Sequence, residues 1–141
     1  MDCGAFVVFC KIFFLMKKII QTDKAPAPVG PYNQATAHNG VLYMAGQIAI
    51  NPATGQLVTD TIEAETHQVM HNIGAVLEEA GITFEEVLKC TIFVSDINLY
   101  GRINAVYAEY FDEKTAPARE LVEVANLPKF VNVEISTIAA L

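Results

Sequence analysis

Two charged side chains stand where apolar ones are expected. Arg119 enters the run Pro117-Ala118-Arg119-Glu120-Leu121-Val122-Glu123-Val124, and fifteen residues later Glu134 sits inside Val131-Asn132-Val133-Glu134-Ile135. A planar, permanently charged fork suits recognition of a carboxylate or phosphate, and a positioned carboxylate can act as a general base. On residue type alone the two read equally well as a buried ion pair or as ordinary outward-facing charges. Arg102 is the only other arginine, so few residues compete for an anion-recognition role.

Other constellations are weaker. Glu63, His67 and His71 recur at i, i+4 and i+8, and the histidine spacing is that of helical zinc sites. Gln68 stands where the zincin motif needs Glu, and no third histidine is placed to complete a site, so the stripe reads as a solvated helix face. Cys90 alternates with Leu88, Ile92 and Val94 and reads as a small buried hydrophobe without a nucleophilic role. The chain contains no phosphate-cradling glycine loop of either familiar kind and no G-x-S-x-G elbow. His38 lies in the turn-like Ala37-His38-Asn39-Gly40, a poor place for the base of a catalytic triad.

The elements that must position Arg119 and Glu134 follow from periodicity. Lys17 to Ile20 predicts a first strand, and Ala25-Pro26-Ala27-Pro28-Val29-Gly30-Pro31 a stiff extended connection able to fix a side chain. Val41 to Ile50 reads as a strand covered on both faces, Asn51 to Gly55 as a turn, and Gln56-Leu57-Val58 as the returning arm of a hairpin. Ile62 to Ala80 carries three-and-four apolar spacing, with Asp60 or Thr61 as N-cap and Gly81 as stop. Val87 to Val94 predicts a strand, and Tyr100, Ile103, Tyr107, Tyr110 and Phe111 form the stripe of a second helix. Ala118 to Val124 and Val131 to Ile138 close the order β-β-β-α-β-α-β-β. Two strand-helix-strand units predict a partly parallel sheet with both helices on one face. The other face then needs cover from further subunits, which predicts a homo-oligomer.

Composition narrows the function. With 141 residues and 52% apolar content the chain can bury roughly two-thirds of its unfolded surface, as expected of one domain of this size. Nine Lys and Arg against sixteen Asp and Glu give a net charge of −7, which argues against nucleic-acid and anionic-membrane partners. Three cysteines, Cys3, Cys10 and Cys90, form no C-x-x-C pair, so a reducing, cytoplasmic setting is expected. The apolar runs within residues 1–15 are too short and broken to span a bilayer, which needs about 20 residues. Those residues are read as an extension outside the fold, with residues 16–141 forming a single domain.

Taken together, Gly30-Pro31-Tyr32-Asn33-Gln34-Ala35, Ala45-Gly46-Gln47-Ile48, Asn104-Ala105-Val106-Tyr107, the Pro117 to Val124 block and Leu127-Pro128-Lys129 resemble the Rid family. That family contains the RidA-type enamine and imine deaminases, formerly the YjgF family. The resemblance runs from about residue 17 to residue 140. It implies an α+β, chorismate-mutase-like fold with a mixed sheet and two helices on one face. It further implies a homotrimer with a barrel-like core and active sites in the clefts between subunits. RidA-type members hydrolyse 2-enamine and 2-imine acids such as 2-aminoacrylate and 2-iminobutanoate to 2-oxo acids and ammonia. No cofactor and no metal are implied. Matched by motif, Arg119 would pair with the substrate carboxylate and Glu134 would activate the attacking water. Tyr32 would contact the substrate, Gly46 and Leu121 would offer backbone N–H groups, and Asn104 would line the cleft.

Three positions depart from the family pattern. Ala45 replaces the usual Ser before Gly-Gln, Glu120 stands where Ser or Thr is frequent, and Leu121 where Cys or Thr is common. Strand alternation predicts that Glu120 points away from Arg119. Two readings follow: an active imine deaminase, or a binding protein, sensor-like or chaperone-like, that keeps the anion cleft without turnover.

Overall fold

The computed structural model describes residues 16–141, so the extension expected over residues 1–15, with Cys3 and Cys10, lies outside the described residues. Six strands, β1 (Lys18–Ile20), β2 (Ala35–His38), β3 (Val41–Gln47), β4 (Val87–Val94), β5 (Ala118–Glu123) and β6 (Val133–Ala140), form one sheet in the order β1-β2-β3-β6-β4-β5. The helices are α1 (Ile62–Glu79) and α2 (Tyr100–Tyr107). All neighbouring strands are antiparallel except β4 and β5, which are parallel and joined through α2. This is the expected α+β, chorismate-mutase-like arrangement of a mixed sheet. Of the two strand-helix-strand units, only β4-α2-β5 joins adjacent strands, because β6 inserts between β3 and β4.

The predicted hairpin is displaced. Residues 56–58 add no strand to the sheet; they turn back on the segment before them around a bridge between Ile50 and Leu57, with the Asn51 N–H donating to the Gln56 carbonyl at 2.9 Å and the Val58 N–H to the Ala49 carbonyl at 2.8 Å. The sheet's hairpin is instead β2 and β3, closed by Asn39 and Gly40 at φ 51° and 75°. Two consecutive left-handed residues make the turn whose twist suits a two-residue hairpin, and Asn-Gly is its preferred sequence. Ala35-Thr36-Ala37-His38 carries little strand propensity of its own, and pairing on both sides with β1 and β3 holds it extended.

Helix α1 begins where Thr61 Oγ1 accepts the Ala64 N–H at 3.1 Å and ends at Gly81, whose φ of 79° lets the Ile82 N–H reach back to the Leu77 carbonyl at 3.0 Å. Its face of Val69, Met70, Ile73, Val76 and Leu77 is fully buried and packs with Cys90, Ile92, Val94, Ile103, Val133 and Ile135 into one core. Each such burial contributes about 1.5 to 3 kcal/mol. Helix α2 is shorter than the apolar stripe suggests, ending at Tyr107 and leaving Tyr110 and Phe111 in the turn that follows. On the opposite face of the sheet Ile19, Tyr43 and Val122 remain exposed.

Two buried polar residues tie α1 to the strands that carry the site. Asn72 donates through Nδ2 to the Ile48 and Ile50 carbonyls, both at 3.0 Å. Glu65, with no accessible surface, accepts from the Asn132 N–H at 2.6 Å, Asn132 Nδ2 at 2.9 Å and the Val133 N–H at 3.3 Å. These groups stand at the entry to β6, immediately before Glu134. Removing the carboxylate strands buried donors, each at about 1 to 3 kcal/mol. Glu65→Ala is therefore expected to lose at least about 2 kcal/mol in denaturant unfolding at fixed protein concentration. A variant within about 0.5 kcal/mol of wild type contradicts this anchoring role.

Candidate functional site

Arg119 is held by neutral groups. Its Nη1 donates to Asn104 Oδ1 at 2.7 Å and its Nη2 to the Tyr100 hydroxyl at 3.1 Å. The guanidinium carbon lies 5.7 Å from the Tyr100 ring centre and 5.0 Å from that of Tyr107. Among the described residues no carboxylate forms an ion pair with it. A guanidinium has five N–H donors, so this cradle leaves three free. Arg102 is different: its Nε and Nη2 grip both Glu63 oxygens at 2.6 and 2.7 Å, an engagement that holds the Glu63 carboxyl below its ordinary range.

Glu120 does not disturb this arrangement. Arg119 stands level with Cys90 and Glu120 with Thr91, so their side chains leave β5 on opposite faces. The Glu120 carboxylate takes Lys89 Nζ at 2.9 Å and the Thr91 hydroxyl at 3.4 Å. Leu121 shares the Arg119 face and packs against the core. Beneath the cradle, the Tyr107 hydroxyl is buried with no hydrogen-bond partner among the described residues, and desolvation pushes its pKa far up, so the ring stays neutral. Cys90 beside it is likewise buried, its thiol pushed up by desolvation, in keeping with an inert structural cysteine.

Glu134 lies elsewhere. It is level with Phe93 on β4, three residues from Cys90, and three is an odd step, so Glu134 and Arg119 project from opposite faces of the sheet. Two strand spacings, about 10 Å, separate them across the sheet, and three residues, about 10 Å, along it. Within one chain the two groups do not meet. Glu134 lines a cavity of about 420 Å³ together with Tyr32, Ala45, Gly46, Gln47 and Lys129. Burial pushes its carboxyl above the ordinary range.

Local features shape this second half. A side chain at Gly46 would occupy the place of the Glu134 carboxyl, with Glu134 Cδ and Cγ at 2.8 and 3.0 Å from a Cβ built there. Only glycine lets the carboxylate lie against β3. Tyr32 is fixed by its own loop: its N–H donates to the Gly30 carbonyl at 2.8 Å, and its hydroxyl accepts the Val29 N–H at 3.4 Å. The loop in turn is clamped by Gln34, 1% exposed, which takes the Thr22 N–H at 2.7 Å and donates to the Thr22 and Pro26 carbonyls, both at 2.9 Å.

The six residues singled out in the sequence thus divide three and three. Arg119, Asn104 and Leu121 form a cation-bearing half, and Tyr32, Gly46 and Glu134 a half with a cavity and a carboxylate. Tyr100 and Tyr107 contact Arg119 and Gln34 lines the cavity of Glu134; none of the three carried an individual signal, although Tyr100, Asn104 and Tyr107 share one helical stripe. Glu63, His67 and His71 build no site. Glu63 is taken by Arg102, while His67 Nδ1 meets the Tyr110 hydroxyl at 2.7 Å and His67 Nε2 lies 3.8 Å from Glu109. Among the described residues no three His, Cys, Asp or Glu side chains are grouped to hold a metal ion, and no helix is long and apolar enough to cross a membrane.

The family model described as Endoribonuclease L-PSP matches residues 22–141. A RutC family protein of Synechocystis sp. is 56% identical over 125 residues, 88% of this chain and 96% of that protein. The 2-iminobutanoate/2-iminopropanoate deaminase of Bos taurus is 45% identical over 125 residues, 89% of this chain and 90% of that protein. Among solved structures, a protein of unknown function of the conserved Rid family from Yersinia pestis superposes with a TM-score of 0.87 at 49% identity, covering 89% of this chain and all of that one.

The close approach at Gly46 gives a direct structural test. Gly46→Ala is expected to keep the sheet and swing the Glu134 carboxyl off β3, visible in a crystal structure of the variant. A Glu134 side chain left unmoved beside an alanine contradicts the assigned geometry.

Proposed function

The chain belongs to the Rid family, and we propose that it hydrolyses reactive 2-enamine and 2-imine acids, such as 2-aminoacrylate and 2-iminobutanoate, to 2-oxo acids and ammonia. The observation that carries this reading is Arg119, a guanidinium held only by neutral groups with three donors left for a bidentate carboxylate. The 45% identity to a named 2-iminobutanoate/2-iminopropanoate deaminase supports it further.

In the proposed reaction Arg119 binds the substrate carboxylate, with backbone N–H groups of Gly46 and Leu121 assisting, and Tyr32 closes over the ligand. The Glu134 carboxylate takes a proton from a water as its oxygen bonds to the imine carbon. The protonated Glu134 then returns that proton to nitrogen, giving a carbinolamine; Glu134 next carries the carbinolamine hydroxyl proton to the amino group, so that the carbon–nitrogen bond breaks, ammonia leaves and the carbonyl forms. Such imines already hydrolyse in water, so orienting the water and the electrophile supplies much of what is needed. No metal or cofactor takes part.

Because the two halves occupy opposite faces, a working site is proposed to combine Arg119 from one copy with Glu134 from the next. The exposed face bearing Tyr43 and Val122 is the surface that a homotrimer would cover. Binding without turnover is the second reading, favoured by Ala45, which lines the cavity without the hydroxyl usual there. An RNA-cleaving role is disfavoured by the net charge of −7, since RNA binding relies on clustered cations.

Arg119→Ala is expected to lower kcat/KM for 2-iminobutanoate, generated in situ by threonine dehydratase, on the order of 100-fold or more, with assembly intact. Co-expressed Arg119→Ala and Glu134→Gln chains should recover activity that neither variant shows alone. Hybrids as inactive as the parents rule out a shared site, and no acceleration by assembled wild-type protein rules out the deaminase.

The pH profile supplies a separate check. Glu134 must be ionised to accept a proton, and its pKa is raised, so kcat/KM should fall as pH drops through that raised value. The acid limb is thus expected above the ordinary Glu value of 4.5 and should vanish in Glu134→Gln. An acid limb at or below that value contradicts the assignment of Glu134 as base.

A further inference from the structure

We propose that Tyr100 is a positioning residue of the anion-binding half, setting the in-plane orientation of the Arg119 guanidinium through its hydroxyl. Tyr100, Asn104 and Tyr107 stand at i, i+4 and i+7 on α2 and so share one face. The buried Tyr107 ring supports the guanidinium at 5.0 Å. An aromatic face attracts a cation but resists its rotation weakly, since the quadrupole field varies little around the ring axis. Two hydrogen bonds to different Nη atoms do resist it. Asn104 Oδ1 fixes Nη1 at 2.7 Å and the Tyr100 hydroxyl fixes Nη2 at 3.1 Å. Together they determine which three N–H groups face outward to a ligand.

The location of Tyr100 is itself built in. It opens α2 directly after a short helical turn, Ile97–Leu99, whose entry is capped by Asp96 Oδ1 accepting the Asn98 N–H at 2.8 Å. The Ile97 N–H donates to Glu123 Oε2 at 2.7 Å, and Glu123 lies on β5, the strand that carries Arg119. The contact locks the start of α2 to that strand. Tyr100 nevertheless remains 43% exposed, an aromatic residue retained at the surface beside a guanidinium that has no carboxylate partner among the described residues. Phenylalanine would supply the same ring without the hydroxyl.

The inference rests on the deaminase reading only for its choice of probes. Tyr100→Phe removes the hydroxyl and keeps the ring. KM for 2-iminobutanoate and Kd for the unreactive carboxylate 2-oxobutanoate, measured by calorimetry, should both rise about three- to tenfold. Because the same anion contact acts in ground and transition states, kcat should change less than twofold. A merely structural residue would lower the melting temperature without moving Kd. Tyr100→Leu, which also loses the ring, should weaken both constants further, and melting temperature and assembly are checked for both variants. Unchanged KM and Kd in Tyr100→Phe, or a fall in kcat at constant KM, overturns the proposal. Wild-type protein that binds 2-oxobutanoate without turning over the imine removes the deaminase reading, and the Kd comparison still decides the role of Tyr100. Wild-type protein that binds no carboxylate overturns both.

Discussion

The organisation of the site depends on keeping one guanidinium un-neutralised in a chain with sixteen acidic residues and nine basic ones. An internal ion pair would remove that arginine from service, and the acidic residues of its own strand, Glu120 and Glu123, have partners elsewhere. The fold diverts these carboxylates one by one. Glu120 leaves by the opposite face to Lys89, Glu123 is tied to the Ile97 N–H, and Glu63 takes Arg102. Exposed ion pairs contribute about 0 to 1 kcal/mol each, so their value for stability is small. Their consequence for Arg119 is larger, because its partners are left as an amide oxygen, a hydroxyl and two rings.

Sheet geometry imposes the second constraint. A strand alternates its side chains between faces, so β5 and β6 present Arg119 and Glu134 to different sides however the loops are arranged. This separation also prevents the pair from collapsing into a buried salt bridge, in which cation and base would quench each other. A base of the proposed kind, partly desolvated and with its pKa raised, would have to stay apart from a cation until a ligand came between them. Glu65 and Gly46 serve that requirement from two directions: one fixes the entry to β6, and the other clears the space into which Glu134 lies.

Much of this architecture was legible in the sequence, and the failures are physically informative. Helix α1 could be read almost to the residue because its period, its cap at Thr61 and its stop at Gly81 agree. Strand β2 could not, since Ala35-Thr36-Ala37-His38 is a strand only by virtue of two neighbours; the turn-like Asn39-Gly40 was visible, but not that it closes a hairpin. Arg119 and Glu134 stood out as charges among β-branched residues, but alternation along each strand does not reveal which face of one matches which face of another. That needs the register Cys90 with Arg119 and Phe93 with Glu134. Gln34 and Glu65 were invisible for a related reason: their partners are mostly backbone groups, which leave no trace in residue type.

The departures from the family pattern carry unequal weight once placed in the fold. Glu120 is engaged on the far face of its own strand, so it takes no hydrogen bond away from Arg119. Ala45 lines the cavity beside Glu134, where a missing hydroxyl bears on whatever is bound there. In the proposed hydrolysis of an electrophilic imine, the essential contributions would be a fixed carboxylate and a base oriented toward water, and neither requires that hydroxyl. Tyr32, anchored by the Gly30 carbonyl and the Val29 N–H, lines the same cavity and carries a hydroxyl of its own. The change at Ala45 therefore bears on affinity for the polar end of a ligand more than on the bond-making step.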